Sequence, residues 1–111
     1  MGSRQHINTN AVNNLGSLYV DQGKLDDAEK MFQRALQGHE KALGSMLVIT
    51  YVPALNTVEN LAILFSQTGR MDEAKELYLR AQRGVELVFG HSSGRCKKIA
   101  SALANLGVGG T

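Results

Sequence analysis

Apolar residues recur along this chain at steps of three and four, the spacing that puts side chains on one face of an α-helix. Val12, Leu15, Gly16 and Tyr19 form the first stripe. Gly23 then breaks the helix. A longer stripe follows at Ala28, Met31, Phe32, Ala35, Leu36 and Leu43, and its counterpart later in the chain is Ala74, Leu77, Tyr78, Ala81, Gln82 and Phe89. Small residues (Gly16, Ala28, Ala35, Ala62, Ala74, Ala81) alternate with the rings of Tyr19, Phe32, Phe65 and Tyr78. That alternation predicts antiparallel helical hairpins, with backbones close at the small positions and rings filling the remaining space. Asp26 is placed to cap the second helix, with Glu29 completing a capping box. Asp72 keeps the cap in the fourth helix, but Lys75 stands at the box position, which predicts a weaker cap.

The pattern is a repeat. Asn10–Gly44 lies over Asn56–Gly90 without a gap, with 13 identities in 35 positions, where average composition gives roughly two. N-N-L-G-S-L-Y (13–19) aligns with E-N-L-A-I-L-F (59–65), Q-G-K-L-D-D-A-E (22–29) with T-G-R-M-D-E-A-K (68–75), and F-Q-R-A-L-Q-G (32–38) with Y-L-R-A-Q-R-G (78–84). A third copy begins at A-N-L-G-V (104–108), one residue short of register.

The order Leu-Gly/Ala, Tyr/Phe, Gly, Asp, Ala, Phe/Tyr, Ala resembles the tetratricopeptide repeat. Val12 and Val58 replace that family's early Trp, and Glu40 and Glu86 stand where its late Pro would be. The long repeat with N-N-L, Q-G-K, R-A-L and a terminal L-G is similar to those of kinesin light chains. The stretch 22–44 is closer still to light-chain-like repeats in fungal STAND-type signalling proteins. The resemblance implies an all-α fold in which about five helices stack as a right-handed superhelical α-α solenoid. The array is expected over 8–108, with repeat 1 at about 9–44, repeat 2 at about 54–90, a partial repeat 3 at about 95–108, and flexible ends at 1–7 and 109–111.

The connector departs from the resemblance. Kinesin light chain-like repeats carry a polar Asp-His-Pro segment after L-G, whereas this chain has S-M-L-V-I-T-Y-V-P (45–53). Thr50 is placed to cap the third helix, with Pro53 in its first turn, where proline is tolerated. Met46 to Ile49 then form an apolar linker that either covers the end of the second helix or is an exposed contact surface or exchange hinge.

In a stacked array the first helix of each copy lines the concave wall. Opposite the packing stripe stand Asn10, Asn13, Asn14, Ser17 and Asp21 in copy one, Asn56, Glu59, Asn60, Ile63 and Gln67 in copy two, and Ser101 and Asn105 in copy three. Asn14, Asn60 and Asn105 recur at one place. An Asn amide donates and accepts at once, so it can pair with an extended peptide backbone, and the resemblance implies that use. The alternative is that these amides brace neighbouring helices. Members of the family that clamp acidic C-termini need cations where this chain has Asn13, Ser101 and Asn105, which excludes that function.

Composition adds limits. The formal charge is +2 and mixed along the chain, too weak a basic face for nucleic acid. Arg95, Lys97 and Lys98 read as a solvated helix start. Cys96 is the only cysteine, so no internal disulfide forms. No apolar run spans a membrane, no signal peptide is expected, and the expected compartment is the cytoplasm. His6, His39, His91 and Cys96 form no triad or metal spacing, and His39, aligned with Val85, is expected to be partly exposed. No enzymatic activity, cofactor or metal is expected. The expected partner is a protein or peptide, with self-association through Met46–Ile49 or the truncated third repeat as the alternative.

Overall fold

The computed structural model describes residues 9–108; the ends assigned as flexible, 1–7 and 109–111, and His6 lie outside them. Five α-helices follow in order: α1 (Thr9–Asp21), α2 (Leu25–Leu47), α3 (Val52–Gln67), α4 (Met71–Phe89) and α5 (Gly94–Leu103). A 3-10 turn, Val48–Thr50, enters α3, and a π-turn, Ala104–Val108, extends α5. No strand occurs among the described residues. α2 packs against both α1 and α3, α4 against both α3 and α5, and α1 touches α3 directly. This is the all-α stacked array that the repeat predicts.

The small-against-large alternation builds the core. Ala28, Phe32 and Ala35 of α2 and their counterparts Ala74, Tyr78 and Ala81 of α4 are all buried. Gly16 lies flat on the Phe32 ring: a Cβ there would come within 2.6 Å of it. Gly84 of α4 sits against the Ile49 carbonyl, and a Cβ there would come within 2.5 Å of Leu55 Cδ2.

Identical residues have different fates in the two copies. Leu15 and Leu18 of α1 are 38% and 49% exposed, whereas their counterparts Leu61 and Leu64 of α3 are each 2% exposed. The cause is position. α3 lies between α2 and α4, while no described element precedes α1. Leu15 therefore departs from its expected buried place. Phe89, 47% exposed at the end of α4, departs too; Gly84 and Val85 are buried there instead.

The helix starts also differ from expectation. α2 and α4 are entered from Lys24 and Arg70, with no side-chain cap. Asp26 and Asp72 fall inside the first turn, where a carboxylate still complements the helix dipole. Glu29 makes no capping box: its Oε1 accepts from Arg70 Nη1 at 2.6 Å, while Arg70 Nε donates to Glu73 at 2.7 Å and the guanidinium lies 4.0 Å over the Phe65 ring. These bonds hold Arg70 more firmly protonated than usual and draw the Glu73 carboxyl below its ordinary range. Tyr51, not Thr50, is the N-cap of α3, and Pro53 does sit in its first turn.

The connector divides between the two expected roles. Gly44 (φ 83°) and Gly90 (φ 91°) occupy the same left-handed place at the ends of the two repeats, a conformation that glycine adopts without a Cβ penalty. Gly90 ends α4, and Ser93 then caps α5 by accepting from Cys96 N at 3.0 Å. Gly44 only kinks α2, which resumes to Leu47. Val48 is buried and Ile49 half-buried, but Met46 and Leu47 are 83% and 66% exposed.

His39 is a further correction. It is buried, with its ring edge-on to Tyr51 at 5.3 Å, and burial lowers its pKa below 6.5. An unfolded chain therefore binds a proton that the folded chain refuses, so stability falls as pH drops below about 6.5 toward the folded value. His39→Val, the residue that copy two has at this place, is expected to flatten the decline of the urea midpoint between pH 7 and pH 5. An unchanged slope would refute the assignment.

The close approach at Gly84 gives a second expectation. Gly84→Ala forces a methyl into a backbone carbonyl and should cost about 1–3 kcal/mol, lowering the melting temperature by several degrees. Gly94 opens α5 with nothing within 4 Å of an added Cβ, so Gly94→Ala should raise the melting temperature slightly, by up to about 1 kcal/mol of helix propensity. Equal thermal shifts in the two variants would contradict the packing described.

Candidate functional site

The wall that could meet a partner is made by α1 and α3. Asn13 reaches across it: its Oδ1 accepts from Thr57 Oγ1 at 3.0 Å and from Asn60 Nδ2 at 3.3 Å. Thr57 is fully buried and has Pro53 O at 3.3 Å as a second acceptor for its one proton. Glu59 stands at the same place in copy two and reaches the next helix in the same way, with its Oε2 accepting from Arg95 Nε at 2.8 Å. Arg95 Nη2 also donates to Asn56 Oδ1 at 2.6 Å. One position per repeat thus ties each first helix to the next.

Further along the wall, Ser17 and Asp21 of α1 meet Asn60, Ile63 and Gln67 of α3 around a cavity of about 180 Å³. Val20, Phe32 and Leu64 complete its lining. The structure therefore brings together five of the residues that the sequence pattern selects. Asn13, Asn56 and Glu59 serve the ties between helices, and Asn14, Ser101 and Asn105 are exposed away from this cavity. Asn10 lies in α1, and its side chain is outside what is described. Asn60 contributes to both the tie and the cavity.

Two contributions escape the sequence pattern. Phe32 and Val20 belong to the packing stripe or flank it, yet both line the cavity. Arg95 reads as part of a solvated basic run, and Lys97 and Lys98 are indeed exposed. Its pairing with Glu59, 36 residues away, corrects that reading for Arg95; no local spacing signals it.

A second cavity, of about 410 Å³, lies where the connector meets α4, lined by Glu40, Val48, Ile49, Leu79, Arg80 and Arg83. Arg80 Nη2 donates to Glu40 Oε2 across its rim at 2.9 Å. Cys96 is buried, and burial together with Glu86 raises its thiol pKa. A thiol held protonated is a poor nucleophile. No group of three His, Cys, Asp or Glu placed to hold a metal occurs among the described residues.

Comparison with known proteins agrees with this architecture. No curated protein matches the sequence. The crystal structure of BtubC (BKLC) from P. vanneervenii, a kinesin light chain-like protein, superimposes with a TM-score of 0.82 at 21% identity, over 93% of this chain and 39% of that one. At that identity the likeness concerns the fold, and this chain spans well under half of BtubC. Two family models described as tetratricopeptide repeat match residues 9–45 and 57–84. The chain therefore carries tetratricopeptide repeats, one across α1 and α2 and another within α3 and α4.

Proposed function

We propose that the chain is a protein-interaction module that binds an extended segment of a partner protein along a concave groove walled by α1 and α3. The observation that carries this reading is the cavity at which Ser17, Asp21, Asn60, Ile63 and Gln67 converge. It has an apolar floor and a polar rim, the combination that lets a site bury a side chain while fixing a backbone. Asn10, Asn13, Asn14, Asn56, Glu59, Ser101 and Asn105 extend the groove or hold its walls. The array over 8–108 works without a catalytic centre, cofactor or metal, in the cytoplasm. Among the described residues no helix is long and apolar enough to cross a membrane.

Asn60 tests the reading. One of its N–H groups is used on Asn13, and the amide has a second N–H and a carbonyl for a ligand. Asn60→Ala should weaken binding of a partner captured from native extract by about tenfold, with helicity and melting nearly unchanged because Asn13 keeps Thr57 as a donor. A large loss of thermal stability with partner binding intact would make the Asn series an internal brace and remove the groove as the functional surface.

The exposure of Met46 and Leu47 favours a second reading, self-association of a longer array in a signalling protein of the STAND type, which the resemblance of 22–44 also supports. Met46→Ser with Leu47→Ser is the suitable variant, since Ile49 supports Gly84. Light scattering should show concentration-dependent association of the wild-type chain and its loss in the double variant. A strictly monomeric wild-type chain at high concentration would eliminate this reading.

A further inference from the structure

The α1–α3 cavity has a chemistry of its own. Its floor is Val20, Phe32 and Leu64, with Ile63 half open at its edge. At about 180 Å³ it exceeds the roughly 150 Å³ of an apolar cavity that holds benzene, so one leucine- or phenylalanine-sized side chain fits.

The electrostatics around it are one-sided. Asp21 is exposed at its rim and has no ion-pair partner among the described residues. Asp21 is the last residue of α1 and Gln67 the last of α3, so the C-terminal ends of both helices open on the same cavity. A helix C-terminus carries partial negative charge. Neither helix has a basic residue in its last turn to offset it, and no lining residue is cationic. Of the cations that follow the two helix ends, Arg70 is held by Glu29 and Glu73, and Lys24 lies 5.8 Å over the Tyr19 ring and outside the cavity lining.

We infer that this cavity selects an extended peptide segment that inserts one apolar side chain between α1 and α3 and carries a Lys or Arg within two residues of it, facing Asp21 and the two helix ends. The inference rests on the groove reading above and adds its specificity. It has the opposite sign to recognition of an acidic peptide: a carboxylate beside the anchor would meet Asp21 and two negative helix ends, with no cation in the cavity lining to receive it.

A random twelve-residue peptide library displayed against the whole chain tests this. Asp21→Lys should fold, because Asp21 is exposed and a cation suits a helix C-terminus. Ile63→Arg should fold as well, since Ile63 is 43% exposed, and its long side chain would obstruct the cavity. Selected peptides are expected to share an apolar residue flanked by Lys or Arg, to bind Asp21→Lys roughly three- to tenfold more weakly, and to lose binding to Ile63→Arg. Circular dichroism of both variants confirms that they are folded. Peptides that need Ile63 but carry acidic flanks, or ignore Asp21→Lys, would overturn this inference and leave the groove standing. Peptides indifferent to Ile63→Arg, or no enrichment at all, would overturn both.

Discussion

Close approach of helix backbones at Ala and Gly positions is the constraint on which the rest of this structure depends. Where Gly16 meets Phe32, and where Gly84 meets the Ile49 carbonyl and Leu55, there is no room for a single methyl group. Ala28, Ala35, Ala74 and Ala81 extend the same intimacy along α2 and α4. Dispersion contacts are short-ranged, so each such position sets the spacing of the larger side chains around it. That spacing brings α1 within reach of α3, and the ties from Asn13 and Glu59 become possible. The cavity is then the space left between α1 and α3 beyond those ties, lined by the last residues of both helices.

The fold class was legible because repetition is a strong signal. A 46-residue offset with matching small and aromatic positions fixes helix number, pairing and the buried face of α2 and α4. What local pattern could not show was the difference between copies. Leu15 and Leu61 are the same residue at the same repeat position, yet only Leu61 has neighbours on both sides. His39 and Val85 align, and that alignment predicts a partly exposed histidine; packing against Tyr51 buries it. The caps failed for a related reason. Asp26 and Asp72 satisfy the local rule for a cap, but the glycine turns at Gly23 and Gly69 (φ 80° and 84°) return the chain early enough for the helices to begin ahead of them.

The candidate site was legible in part. Facing away from the stripe is a one-dimensional criterion, and it selected Ser17, Asp21, Asn60, Ile63 and Gln67 together with residues that serve other ends. Asn13 and Glu59 satisfy the same criterion but bond to the neighbouring helix, because their side chains lean toward it. Distinguishing a wall residue from a tie requires the offset between adjacent first helices, and that offset is a tertiary property. Arg95 illustrates the limit: its partners lie 36 and 39 residues back in the chain.

The half-open burial of Leu15 and Leu18 has a bearing on motion. The two walls of the cavity are not equally stiff. Among the described residues, α3 is clasped on both sides by α2 and α4, whereas α1 packs along α2 and meets α3 at Asn13. Regions with fewer buried contacts open at lower free energy than the core does, so α1 is the compliant jaw and α3 the fixed one. A segment lodged between them would restrain α1 more than α3. Any neighbour that covers Leu15 and Leu18 from the far side would stiffen the same jaw. Binding strength in the groove would thereby be adjustable from a surface that the ligand never touches.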